Sequence, residues 1–170
     1  MDININSLEK NIGISFKNKD LLKKSLTHKS FNSIENNEKL EFLGDRVLGL
    51  IVSKNLLIAF PNDKEGALDK KLASLVNRKK CCEISKKFKL EKFILTNNVK
   101  TLKNKIEDKI VSDACEALIG AIYLDQGLNC AEKFIIKFWK VKSNMILKHQ
   151  IDAKTKLQEY SLKKYKSLPD

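Results

Sequence analysis

Turn-forming residues are scarce in this chain, with six glycines and two prolines among 170 residues. That scarcity argues against a sandwich or barrel of many short strands, which needs turn signals roughly every 8–12 residues. Four cysteines (Cys81, Cys82, Cys115, Cys130) include an adjacent pair but no C-x-x-C, and with only two histidines beside them the spacing argues against a structural zinc site. No stretch approaches the roughly 18 apolar residues of a membrane span. The opening MDININSLEK lacks the basic start and apolar run of a signal peptide. The cysteines therefore read as reduced thiols of a cytoplasmic protein. Arginine is nearly missing too, with Arg46 and Arg78 alone.

Lysine and apolar residues fill the space. Lys and Arg number 33 against 21 Asp and Glu, giving a net charge of +12, while 42% of the chain is hydrophobic. Such a surface favours a polyanion, because a phosphate backbone releases condensed counterions on binding. A simple bias toward Lys, Asn and Ile would produce the same charge without any partner. The length fits one core of roughly 100–200 residues with a short appendage. Few breakers and many apolar residues together predict an all-α fold.

Asn6 and Glu9 have the spacing of a capping box and Gly13 is placed to end a helix over about 7–12. Leu21, Leu22, Ser25 and Leu26 carry a second helical pattern to Thr27 and His28. From Glu38 to Phe60 apolar residues fall on every side of the helical wheel, the mark of a helix surrounded by protein, and Pro61 stops it. Half-exposed helices follow over about 65–77 and 79–88, then a basic stretch, TNNVKTLKNK, without apolar periodicity, which reads as a mobile loop. A second all-round apolar helix is expected at about 105–124. A last amphipathic one, at about 128–148, uses Phe134, Ile135, Phe138 and Val141 as its stripe.

Acids interrupt both apolar helices. Glu38, Glu41 and Asp45 share a sector of about 60° that Leu48 and Val52 continue. Asp113 and Glu116 sit one turn apart above Gly120, among Ile110, Val111, Leu118, Ile119 and Ile122. Unpaired carboxylates in such surroundings cost several kcal/mol. Salt bridges to Arg46, Lys39 or Lys109 would meet that cost. So would divalent metal, if the two helices pack so that the acids converge; oxygen-only ligands select Mg²⁺ or Mn²⁺. A metal cluster of this sort suits phosphodiester hydrolysis. A carboxylate-bridged di-iron protein also buries acids on facing helices but needs Glu-x-x-His pairs, and neither His28 nor His149 follows a glutamate at that spacing.

NEKLEFLGDRVL (37–48) closely resembles the signature stretch of ribonuclease III, and VSDACEALIGAIYLD (111–125) resembles that family's second acidic helix. LTHKS (26–30) and EGALDKKLASLV (65–76) look like family segments in the right order, so the likeness spans about 5–148. It implies a homodimeric helical bundle that cuts both strands of double-stranded RNA with Mg²⁺, leaving 5′-phosphate, 3′-hydroxyl and short 3′ overhangs. No organic cofactor and no membrane are implied. By resemblance Glu41, Asp45, Asp113 and Glu116 are the metal-binding and catalytic carboxylates, Asp45 and Glu116 the most indispensable. Glu38 and Glu65 match auxiliary acids at the cleavage site, and Phe42 an aromatic that enters a socket on the partner subunit. Ribosomal RNA precursors and other structured RNAs are the implied substrates. His28 is read as a hydrogen-bonded structural residue.

TNNVKTLKNK departs from the glycine- and arginine-containing loop the resemblance leads one to expect. A domain of 1–150 is expected, followed by a linker and helix over 151–170. That tail resembles the start of a double-stranded-RNA-binding domain, with Thr155, Gln158 and Glu159 at matching positions. Against a catalytically silent duplex-binding relative stands the full set of acids, which such a protein would not need.

Overall fold

Apolar residues three and four apart produce seven α-helices among the residues described in the computed structural model, which are 4–97, 99–100, 105–140 and 164. They are α1 (Ile5–Ile12), α2 (Lys19–Ser25), α3 (Glu38–Ala59), α4 (Glu65–Val76), α5 (Arg78–Lys87), α6 (Asp108–Gln126) and α7 (Leu128–Trp139). The all-α expectation holds, with one addition. Within the stretch read as a loop, β1 (Val99–Lys100) and β2 (Lys105–Ile106) pair antiparallel, Val99 opposite Ile106. Strands of two residues carry no alternation for a sequence pattern to show.

The first helix starts earlier than its pattern suggests. Asn4, not Asn6, caps it, accepting from the Ser7 N–H at 3.2 Å. Glu9 does not reach back to the cap: its buried carboxylate accepts the Phe16 N–H at 2.6 Å and the Lys19 ammonium at 2.5 Å. Gly13 ends the helix in the left-handed region, φ 76°, as anticipated.

Helix α6 is the centre of the fold. Its residues from Ile110 to Ile122 are almost all buried, and α2, α3, α5 and α7 pack around it. Its pairing with α3 is the most extensive in the protein. Helix α3 is less enclosed than its apolar wheel implied: Leu40, Val47, Leu48, Ile51, Val52 and Leu56 are buried, while Phe42, Leu50, Leu57 and Ile58 face outward. Helix α7 closes at Trp139, where Lys140 turns left-handed (φ 50°) and the Trp139 indole donates to the Leu75 carbonyl at 2.8 Å. It is thus shorter than the expected helix, whose residues 141–148, Val141 among them, lie outside the described residues. Phe88 meets Phe134 and Phe138 edge-on, and Phe134 lies tilted against Phe138, at centroid distances of 4.9–5.8 Å. Among the described residues no helix is long and apolar enough to cross a membrane.

Candidate active site

Two glycines set how the acid-bearing helices meet. A side-chain carbon built on Gly44 of α3 would lie 1.7 Å from the Glu116 carbonyl oxygen, and one on Gly120 of α6 would lie 2.3 Å from that of Leu40. The backbones therefore touch at this crossing, and Cβ atoms are excluded there. Glu41 and Asp45 flank Gly44 on α3. Asp113 and Glu116 approach from α6.

The four carboxylates lie within one another's fields. Glu116 is pushed up to about 7, first by burial and then by the charges of Asp45, Glu41 and Asp113. Glu41 is raised as well, by burial and then by Asp113. Asp113 is only 13% exposed and accepts from Lys109 Nζ at 2.9 Å; Asp45 accepts from Arg46 Nη1 at 2.5 Å. Glu38, exposed at the rim, pairs with Lys29 at 2.8 Å, which lowers its carboxyl. Lys39 instead acts on Glu35. Among the described residues neither Glu41 nor Glu116 takes part in an ion pair.

Glu65 stands apart from this group. It lines a mainly apolar cavity of about 340 Å³ with Ser53, Leu56, Leu57, Leu68, Asp69 and Leu72, and is not among the groups that raise Glu41 or Glu116. Phe42 projects outward, 64% exposed, beneath the guanidinium of Arg46. Thr155 and Gln158 lie outside the described residues.

Two contributors were hidden from sequence reasoning. The Cys81 thiol of α5 lies close enough to the Glu116 carboxyl to lower it slightly against the larger upward effects, and Ser112 Oγ donates to that carboxylate at 3.4 Å. His28 is buried and hydrogen-bonded, as expected, yet lies close enough to Asp113 and Glu38 to feel both. The Ser30 N–H donates to its Nδ1 at 3.1 Å, which leaves the proton of the neutral ring on Nε2; burial holds the imidazole below its usual value. Spacing toward Glu116 gives no hint of Cys81, because α5 and α6 meet only through tertiary packing.

The sequence profile of the family described as Ribonuclease-III-like matches residues 18–142. The chain belongs to the ribonuclease III family. Over 169 residues it is 61% identical to Ribonuclease 3 of Pelagibacter ubique, an alignment covering 99% of this chain and 76% of that protein. Ribonuclease 3 of Campylobacter fetus is 43% identical, covering 97% and 75%. Among solved structures, the nuclease domain of Ribonuclease III from Campylobacter jejuni superimposes with a TM-score of 0.78 at 41% identity, covering 84% of this chain and all of that one. That structure is described as flexible in a region involved in dimer formation. Membership of the ribonuclease III family brings the enzyme class with it, an endonuclease and hydrolase directed at RNA.

The carboxylates suit a divalent ion by their chemistry. All donors are oxygens, and burial and mutual repulsion raise Glu41 and Glu116, a strain that a bound cation would relieve. Among the described residues no three acidic, histidine or cysteine side chains form a finished ligand set. Asp45 is turned to Arg46 and Asp113 to Lys109.

Proposed function

We propose that this chain hydrolyses double-stranded RNA with Mg²⁺, for which Mn²⁺ can substitute, as a homodimer in which each subunit cuts one strand. The observation that carries this reading is the upward displacement of Glu116 by burial and three neighbouring carboxylates. Such repulsion is tolerated where a cation relieves it.

Glu41, Asp45, Asp113 and Glu116 would hold the ion, with Asp45 and Asp113 rotating from their present cations. When bound, Mg²⁺ lowers the pKa of a water and offsets charge on the leaving oxygen. Glu116, with Ser112 Oγ donating to it, would be held in place among the other carboxylates. Water adds to phosphorus and the bond to the 3′ oxygen breaks, so that oxygen takes up a proton and the phosphate stays on the 5′ end. Glu38 at the rim and Glu65 assist, and offset cuts on the two strands leave short 3′ overhangs. The lysine-rich surface offsets the repulsion between acids and RNA, and an A-form duplex is recognised by shape rather than by base edges.

Outward-facing Phe42, Leu50, Leu57 and Ile58 on α3 support the dimer, as does the dimer formation ascribed to the Campylobacter jejuni domain. Residues 1–150 form the nuclease unit; 151–170, with Thr155 and Gln158, form a linker and the first helix of an RNA-binding module. Processing of ribosomal RNA precursors and other structured RNAs in the cytoplasm is the role that follows.

Incubation of a long RNA duplex with Mg²⁺ at low salt tests the reading. Cleavage to fragments with 5′-phosphate ends is expected, and Glu116→Gln should abolish it while its circular dichroism stays that of the parent. An intact duplex under every divalent ion, bound but uncut, would establish the silent relative instead.

A further inference from the structure

Asp45 is the α3 acid on which the ribonuclease reading leans hardest, and it does not face its fellow acids freely. Arg46 Nη1 donates to its Oδ2 at 2.5 Å. The same guanidinium lies over the ring of Phe42, with Cζ 4.5 Å from the centroid. One cation thus touches both an expected metal ligand and the residue expected to enter the partner subunit. Other cations at the site do not do this: Lys109 pairs with Asp113 and Lys29 with Glu38, and among the described residues Arg46 alone lies over Phe42.

Stability does not account for the arrangement. Arg46 and Asp45 are 61% and 44% exposed, and an ion pair between solvated side chains contributes little. Its consequence is competition. A divalent ion at Asp45 must displace the guanidinium, both by taking the carboxylate oxygen and by repelling the positive charge. A ring entering an interface loses water, and cation–π attraction strengthens when water is excluded. Each event therefore weakens the Arg46–Asp45 pair, and whichever occurs first lowers the cost of the other.

We propose that Arg46 couples subunit association to metal binding by exchanging between the Asp45 carboxylate and the Phe42 ring. The proposal rests on the reading that the chain pairs through α3 and holds a divalent ion with its four carboxylates. Linkage makes the coupling reciprocal: Mg²⁺ tightens the dimer by the factor by which dimerisation tightens Mg²⁺.

The test uses the full chain and Mg²⁺ alone, without RNA. Chains labelled at the N-terminus with donor or acceptor dye are mixed, and subunit exchange is followed by energy transfer with and without Mg²⁺. Titration calorimetry gives Mg²⁺ affinity in parallel. Mg²⁺ should slow exchange of the parent chain about five- to tenfold, the span of a cation–π contact moving from water into an interface. Arg46→Met keeps an apolar stem over Phe42 without the charge; it should bind Mg²⁺ more tightly than the parent and exchange at a rate indifferent to Mg²⁺. Arg46→Gln must behave likewise. Parent exchange unaffected by Mg²⁺, or Arg46→Met with the parent's ratio, overturns the coupling while leaving a metal-binding dimer intact. A parent chain that neither exchanges subunits nor takes up Mg²⁺ overturns the underlying reading, and the coupling with it.

Discussion

Gly44 lies so close to Glu116 that a methyl group on its α-carbon would stand 1.7 Å from the Glu116 carbonyl oxygen. The contact is with backbone, which cannot swing aside. Gly44→Ala must push α3 and α6 apart, and overpacking of a tight core costs about 1–3 kcal/mol or more. We expect a thermal midpoint lower by roughly 4–10 °C. Gly66, exposed near the start of α4 with no atom within 4 Å of where a methyl group would stand, is the control. Gly66→Ala should leave stability unchanged or raise it by up to about 1 kcal/mol. Equal melting of the two variants would contradict the described crossing.

Stability should depend on pH in a direction set by Glu116. Its folded-state value, about 7, lies above the ordinary 4.5, so between these values the folded protein holds a proton that the unfolded chain has released. Metal-free protein therefore loses stability as pH rises from about 4.5 to 7 and levels off above. Glu41 acts in the same sense. Urea titrations in chelator across this range should show a fall of about 1–3 kcal/mol, reduced from the full shift because the site is partly open to water. Glu116→Gln should flatten the slope, and so should millimolar Mg²⁺. A slope of opposite sign would exclude the repulsive cluster.

Removing the Phe42 ring should separate association from folding. The side chain is 64% exposed on the single subunit, so Phe42→Ala should change monomer stability by no more than about 0.5 kcal/mol. As an aromatic anchor in an interface it should weaken the dimer roughly 30-fold or more. Sedimentation equilibrium reads this directly; an unchanged dimer would move the interface off this face of α3.

Glu9 organises the entry to α2, where the Phe16 N–H and Lys19 both donate to its buried carboxylate. Glu9→Ala strands a buried N–H and loses a charge-assisted contact, with an expected cost of about 2–4 kcal/mol by urea denaturation. Glu9→Gln, which keeps an acceptor for Phe16, should cost less. Equal losses would assign the effect to the Lys19 pair alone.

Helix positions were legible because each apolar stripe is local, and the meeting of the four acids followed once both apolar helices were assumed to pack together. Asp45 and Asp113 show what spacing conceals. Whether a carboxylate faces its fellows or a neighbouring cation is decided by rotamers, and Arg46 and Lys109 are already within reach of Asp45 and Asp113. Glu65 was grouped with the site by resemblance, yet in the single subunit it faces a different cavity. The open face of α3 could not be read from its wheel, since apolar residues that face a partner and those that face a core are chemically alike. The Asn4 cap was missed for a smaller reason: Asn4 and Asn6 are equally good cap residues, and Glu9, which would have decided between them, is engaged elsewhere.

The hairpin of β1 and β2 is tied into the fold on both sides. Before it, Leu95 donates to the Leu26 carbonyl and accepts from the His28 N–H, and Asn97 ties to Ser30 through both its backbone and its amide. Thr27, between these ties, accepts the N–H of Asn37 at the cap of α3. After it, Ile106 runs almost directly into α6. A tug on the first strand is absorbed by this stitching before it reaches Asn37, and one on the second meets the Cys82 thiol of α5, which donates to the Asp108 carbonyl at 2.8 Å where α6 begins. Both acid-bearing helices are thus pinned near their first turns, which keeps a movement of the hairpin from sliding one half of the acid cluster against the other.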